Sequence, residues 1–256
     1  MDERFRGRRR EVARSRGRRR ALALGSLLLV AAVVAGYFWL RASDVFALRQ
    51  LSLPLIQNVT EAQLYSAVEP VAGVNLLRVP VAEVERRLRA IPYVRAARVY
   101  RRFPHTLEVD LTEYQPAAAI RAHDGDTWVI SEDGRVLERV RESSPALVLV
   151  VPEAEIRLEA GQTVPSQVVD ALPVLGLLHD PGVWPQEYGV LRLEVSDVGE
   201  LMLILADGCQ VRMGEPARLE EKLMVAARII DRYSSEGKQV EYVDVHVPSP
   251  GVAKAK

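Results

Sequence analysis

IPYVRAARVYRRFPHTLEVDLTEYQPAAA, residues 91–119, reads as two strands folded about a tight turn. Residues 94–101 form the first strand, and Phe103-Pro104-His105 supplies the turn. In residues 106–112, Leu107, Val109 and Leu111 alternate with Glu108 and Asp110, which is the period-two pattern of a strand with one buried and one wet face. Pro92 ends whatever precedes the first strand, because a proline inside a helix loses a hydrogen bond and clashes with the previous turn. What precedes it is helical: Val81, Val84, Leu88 and Ile91 recur at helical spacing behind Pro80, and Glu83, Glu85, Arg86, Arg87 and Arg89 charge the other face. Further upstream, Thr60 and Gln63 have the spacing of a capping box, starting a short helix with Leu64, Ala67 and Val68 on one side and Pro70 and Gly73 at its end. Residues 75–78 are a short extended piece. Residues 46–53 alternate as a strand that Pro54 closes. The expectation is a β-α-α-β-β unit over residues 44–113.

Downstream the chain turns β-rich. Glu132-Asp133-Gly134 between residues 128–131 and 135–140, and Asp207-Gly208 between 201–206 and 209–213, are hairpin signals. Residues 146–151 and 191–195 read as further strands. Residues 166–179 carry Val168, Leu172, Leu175 and Leu178 at helical spacing, with a kink or break expected at Pro173. A long helix is expected over 216–235, with Pro216 at its first position, Leu219, Leu223, Ala226, Ala227 and Ile230 on one face, and Gly237 beyond its end. The last strand is expected over 240–247, with Val243, Val245 and Val247 facing the core and Tyr242, Asp244 and His246 facing away. This β domain spans 117–247, and residues 248–256 are expected to be a flexible tail. The fold class is α+β.

In front of both units lies a membrane signal. Residues 1–20 hold ten arginines against Asp2, Glu3 and Glu11, a net charge of +7, and residues 21–40 contain no charge at all. Twenty residues at about 1.5 Å each give a helix of about 30 Å, the thickness of a bilayer's hydrocarbon core. Basic flanks stay in the cytoplasm, so the leader is expected inside and the bulk of the chain outside; Tyr37, Phe38 and Trp39 suit the far headgroup layer. A cleaved signal peptide needs small residues before the cut, whereas residues 36–41, GYFWLR, are bulky. The remainder carries 24 basic and 31 acidic residues, and this mildly acidic balance argues against nucleic acid as a ligand. A single cysteine, Cys209, leaves no intramolecular disulfide.

No catalytic pattern emerges. His105, His123, His179 and His246 are scattered, without the pairing that suits a metal, and Asp124-Gly-Asp126 reads as a turn. Arg95, Arg98, Arg101 and Arg102 form the one basic cluster beyond the anchor: a solvated strand face, or a contact for anionic lipid or an acidic partner. Neither catalytic residues nor a cofactor or metal site is expected.

Ile91-Pro92-Tyr93-Val94, Ala97, Val99, Arg102, Pro104, Leu107, Val109 and the run Glu113 to Ala119 resemble the signature of the bacterial division family FtsQ/DivIB. Trp128, Asp133-Gly134, the 219–230 helix and Tyr242-Val243-Asp244-Val245 extend the resemblance to that family's β domain. Tyr114-Gln115, where a basic residue often follows the glutamate, and His246-Val247 depart from it. The resemblance implies a polypeptide-transport-associated (POTRA) domain and a non-enzymatic divisome scaffold at the septal cell membrane, helping to control peptidoglycan synthesis. It also implies as partners the single-pass coiled-coil proteins FtsB and FtsL (DivIC and FtsL in some lineages), with other divisome membrane proteins beside them. By position, the family's partner-binding strand falls on Tyr242, Val243, Asp244, Val245, His246, Val247 and Ser249. The alternatives are a POTRA-bearing component of polypeptide export and a membrane-tethered cell-wall enzyme.

Overall fold

The computed structural model describes residues 24–41, 43–54, 56–141, 147–247 and 252–255. The basic leader therefore lies outside the described residues, as do residues 21–23 of the expected anchor. Leu24–Arg41 is one helix, α1, with none of its residues buried within the protein, and it is long and apolar enough to cross a membrane.

Two compact units follow from the packing. One comprises residues up to 55, 64–85 and 98–110; the other comprises 56–63, 86–97 and 111–256. In the first part of the chain the order is a 3-10 turn (Asp44–Phe46), β1 (Gln50–Ser52), α2 (Glu61–Val68), a 3-10 turn (Glu69–Val71), α3 (Val81–Arg89), β2 (Val94–Arg102) and β3 (Thr106–Glu113). The strands form a three-stranded sheet in the order β1-β3-β2, with β1 parallel to β3. The first expected strand is thus shorter than its alternation suggests, because residues 44–46 are taken up by a helical turn directly after the anchor.

The expected helical signals act as read. Gln63 N–H donates to Thr60 Oγ1 at 3.4 Å and Gln63 Oε1 accepts from Thr60 N–H at 3.0 Å, a reciprocal capping box for α2. Leu64, Val68, Val84 and Leu88 are buried. One acid does more than its place in the sequence suggests: the Glu113 carboxylate accepts the backbone N–H groups of Gln57, Asn58 and Val59 at 3.0–3.1 Å. Three consecutive donors converging on one anion satisfy a loop that has no ladder of its own.

A nine-stranded mixed sheet makes up the second part: β4 (Pro116–Arg121), β5 (Thr127–Ser131), β6 (Val136–Val140), β7 (Leu149–Pro152), β8 (Val190–Val195), β9 (Leu201–Leu205), β10 (Gln210–Gly214), β11 (Val240–Asp244) and β12 (Val252–Ala255), in the order β12-β11-β10-β9-β8-β7-β4-β5-β6. The hairpins β5-β6 and β9-β10 close where Asp-Gly turns are expected. Parallel neighbours need a crossover. Helices α4 (Ser166–Ala171) and α5 (Pro173–Leu178), separated at the expected proline, carry β7 to β8, and α6 (Leu219–Ser235) carries β10 to β11. Val168, Leu172, Leu175, Leu223, Ala226 and Ile230 pack with Leu193, Leu203, Val211 and Val243 in a single core, so the helices cover one face of the sheet. Alternate residues on the other face, Arg192, Glu194, Met202, Ile204, Arg212 and Tyr242, stay half-buried.

Two expectations are corrected here. α6 starts at Leu219 rather than Pro216, because Arg218 turns left-handed at φ 52 and redirects the chain. Residues 252–255 of the expected tail form β12, antiparallel to β11. A buried cation also went unforeseen: Lys222 Nζ on α6 donates to the carbonyls of Met213 and Glu215, both at 2.8 Å, pinning the helix to the end of β10. Desolvation, with Arg218 nearby, holds its pKa below the usual lysine value.

Candidate interaction surface

β11 is set by its neighbours before its side chains matter. Val211 pairs with Val243 and Arg212 with Asp244 in the parallel ladder to β10, and Val245 N–H extends the ladder to Arg212 O at 2.9 Å. Val243 and Val245 are fully buried, as their alternation requires, and that fixes which residues face outward. Tyr242 does so with its ring under the Arg212 guanidinium, 4.3 Å from the ring centroid.

The strand ends at Asp244, where the expectation of a longer strand fails: Val247 is 63 % exposed and does not anchor to the core. The cause is local hydrogen bonding. Asp244 Oδ1 accepts from His246 N–H at 3.1 Å and lies 3.0 Å from His246 Nδ1, so the chain closes on its own side chain instead of continuing the ladder. Burial pushes the Asp244 carboxyl up, but the His246 hydrogen bonds and Arg212 outweigh it and hold the carboxyl below its usual range. The imidazole lies over Gly214 so closely that a Cβ there would meet its Cδ2 at 2.2 Å. Glu200 faces its other nitrogen at 4.0 Å. His246, Gly214 and Glu200 border a cleft of about 470 Å³ that also takes in Glu153, Glu194, Met202 and Arg212. Ser249 lies outside the described residues.

The edge of β11 away from β10 is occupied. Val243 pairs with Ala253 and Asp244 with Val252, and Glu241 Oε2 meets Lys254 Nζ at 2.7 Å across the two strands. The outermost strand on this side of the sheet is β12. Its sequence carries little strand signal, since VAKA is short and follows a proline-containing stretch. At the opposite end of the sheet, β6 is partly covered: Val136 N–H donates to Gln162 O and Gly161 N–H to Val136 O, each at 2.8 Å.

The basic cluster is mostly spent within the fold. Arg95 meets Asp133 at 3.2 Å and Glu132 at 3.4 Å, Arg101 donates to Val79 O at 2.8 Å, and Arg102 pairs with Glu108; Arg98 is exposed. The ion pairs of Arg95 and Arg102 are solvent-exposed, and pairs of that kind are worth only about 0–1 kcal/mol.

The profile of the POTRA domain, FtsQ-type, matches residues 46–114, and that of the C-terminal region of cell division protein FtsQ/DivIB matches residues 118–246. The chain is similar to a protein named cell division protein FtsQ from Myxococcus fulvus, 28 % identical over 244 residues, covering 91 % of this chain and 83 % of that one. A protein of the same name from Anaeromyxobacter is 28 % identical over 242 residues, covering 91 % and 79 %. Another, from Neisseria gonorrhoeae, is 32 % identical over 119 residues, covering 46 % of each.

Proposed function

Because the chain belongs to the FtsQ/DivIB family of cell division proteins, we propose that it is a single-pass envelope scaffold whose outer domains gather the small coiled-coil division proteins of the FtsB and FtsL (DivIC and FtsL) type. It is a scaffold of cell division that works with other components of the divisome. The observation that carries this reading is order: one apolar helix, then an FtsQ-type POTRA domain, then an FtsQ/DivIB C-terminal domain. Depleting the protein should block septation while growth continues, giving elongated cells. Normal division after full depletion, in cells with no second copy, would sink the assignment.

The charge asymmetry of the first forty residues supports a cytoplasmic leader and an external bulk, and membership of a division family supports a place at the septum. With buried Cys209 replaced by alanine, a membrane-impermeant thiol reagent on intact cells should label a cysteine at the exposed Val198 and miss one at Ser15. The opposite pattern would reverse the topology.

The junction between the 44–113 and 117–247 domains is expected to be the preferred cut in limited proteolysis. Yet Tyr93 Oη donates to Glu138 at 2.7 Å and Arg135 Nε to Pro92 O at 3.0 Å, all within one compact unit. A piece spanning 119–256 should therefore melt cooperatively but below the intact chain. If neither it nor 42–118 melts cooperatively, the two are one domain.

For partner capture, the outer edge of β12 has no strand paired to it among the described residues, with Tyr242, Asp244 and His246 beside it on β11 and its extension.

A further inference from the structure

Where α1 ends, the chain does not swing free. Ser43 N–H donates to Trp39 O at 2.9 Å, and the buried Asn75 side chain donates to Leu40 O at 2.9 Å and Ser43 O at 2.7 Å. Leu40 O is one of the carbonyls that a helix end leaves without an intrahelical partner, and Ser43 O lies just beyond that end. The chain leaving the helix is then fixed to the β2-β3 turn, since Arg49 and Gln50 N–H both donate to His105 O, at 3.0 and 3.2 Å. The consequence is an apolar patch held at the mouth of the anchor: Val45 is 49 % and Phe103 53 % exposed, and Phe103 meets Phe46 edge to face at 5.4 Å. Phe103 stands exposed at the tip of the β2-β3 turn, with half-buried Phe46 as its ring partner. They lie a few residues, along a hydrogen-bonded path, from Tyr37, Phe38 and Trp39, rings of the kind that collect at headgroup depth.

We propose that Val45, Phe46 and Phe103 form a second membrane contact, seated in the interfacial layer of the leaflet through which α1 emerges. The contact rests on the reading of Leu24–Arg41 as a membrane span. It is apolar in kind: Arg101 and Arg102 near the turn are already paired with Val79 O and Glu108, so anionic headgroups are not required. Apolar rings flanked by polar backbone suit the boundary between acyl chains and headgroups. Two attachments, the span and the patch, would hold the first unit at one height and tilt above the bilayer.

The test uses the full chain with Cys209→Ala, reconstituted in nanodiscs of zwitterionic phosphatidylcholine, with a nitroxide on Val33→Cys, Val45→Cys, Phe103→Cys or Val198→Cys in turn. Collision rates with oxygen, which concentrates in lipid, and with a water-soluble nickel chelate are compared. At positions 45 and 103, oxygen collisions should be several-fold higher and nickel collisions several-fold lower than at 198, intermediate between 198 and 33. Adding Asn75→Leu should move 103 toward the aqueous values while leaving 33 unchanged. Aqueous values at 45 and 103 with a lipid signature at 33 would overturn the second contact but keep the span. Protection from both reagents would also overturn it, by placing protein over the patch, and an aqueous signature at 33 would remove span and patch together.

Discussion

Gly134→Ala is expected to lower stability by about 2–5 kcal/mol. Two costs combine. Gly134 sits at φ +76 in the β5-β6 turn, where a Cβ costs about 1–2 kcal/mol. The Cβ would also point inward, reaching Val164 Cγ2 and Val169 Cγ2 at 2.9 Å each and Leu172 Cδ1 at 3.5 Å, and forced overpacking costs about 1–3 kcal/mol. Val164 N–H donates to Gly134 O at 2.9 Å, so the segment leading into α4 cannot move aside without losing that bond. For a fold of this size the melting temperature should fall by roughly 5–15 °C. Gly125→Ala is the control: its φ is +83, yet nothing lies within 4 Å of its Cβ position, so it carries the backbone cost alone. Equal losses at the two sites in thermal or urea melts would show that Gly134 is only a turn residue.

That glycine illustrates what the sequence made legible. Asp133-Gly134 announces a hairpin because the turn needs positive φ, a local requirement visible in two letters. Its second task, leaving room for α4, is a tertiary fact with no local trace. The same division explains the strands. β3 and β8 alternate and are readable, whereas β4 is Pro-Ala-Ala-Ala-Ile-Arg, poor in the residues that favour strands, with Ala118, Ala119 and Ile120 all fully buried. It is a strand because it lies between β7 and β5, both of which it pairs with, and small side chains on both faces satisfy that crowded position. Lys222 is a further case: on a charged helix its letter looks solvated, and only the fold of β10 brings two carbonyls to its Nζ. In the candidate surface, the alternation placed Val243 and Val245 correctly, but extending it to Val247 ignored Asp244, whose carboxylate takes the next available N–H and ends the strand. Periodicity describes a ladder and is silent about where a side chain competes with it.

Blocking the outer edge of β12 is expected to abolish capture of the coiled-coil partners while leaving the fold intact. β11 is satisfied on both sides, by β10 and β12, so a strand added to this end of the sheet must pair with β12. Along β12 successive N–H groups alternate between the β11 side and the open side, so Ala253→Pro and Lys254→Pro remove donors facing opposite ways. The variant that loses the inward donor should melt lower, because a ladder bond to β11 is gone. The other should keep its melting temperature and lose partner binding by at least about tenfold, as expected when a recognition edge loses a hydrogen bond and gains a steric block. Ending the chain at Val247 removes β12 and exposes β11, a test of whether an edge alone suffices or this strand is needed. If the stable proline variant pulls down FtsB- and FtsL-like proteins as well as the parent does, the interface lies elsewhere, and the cleft beside His246 becomes the surface to vary next. Gly214→Ala would probe that cleft, because its Cβ displaces the imidazole from Asp244 without touching β12.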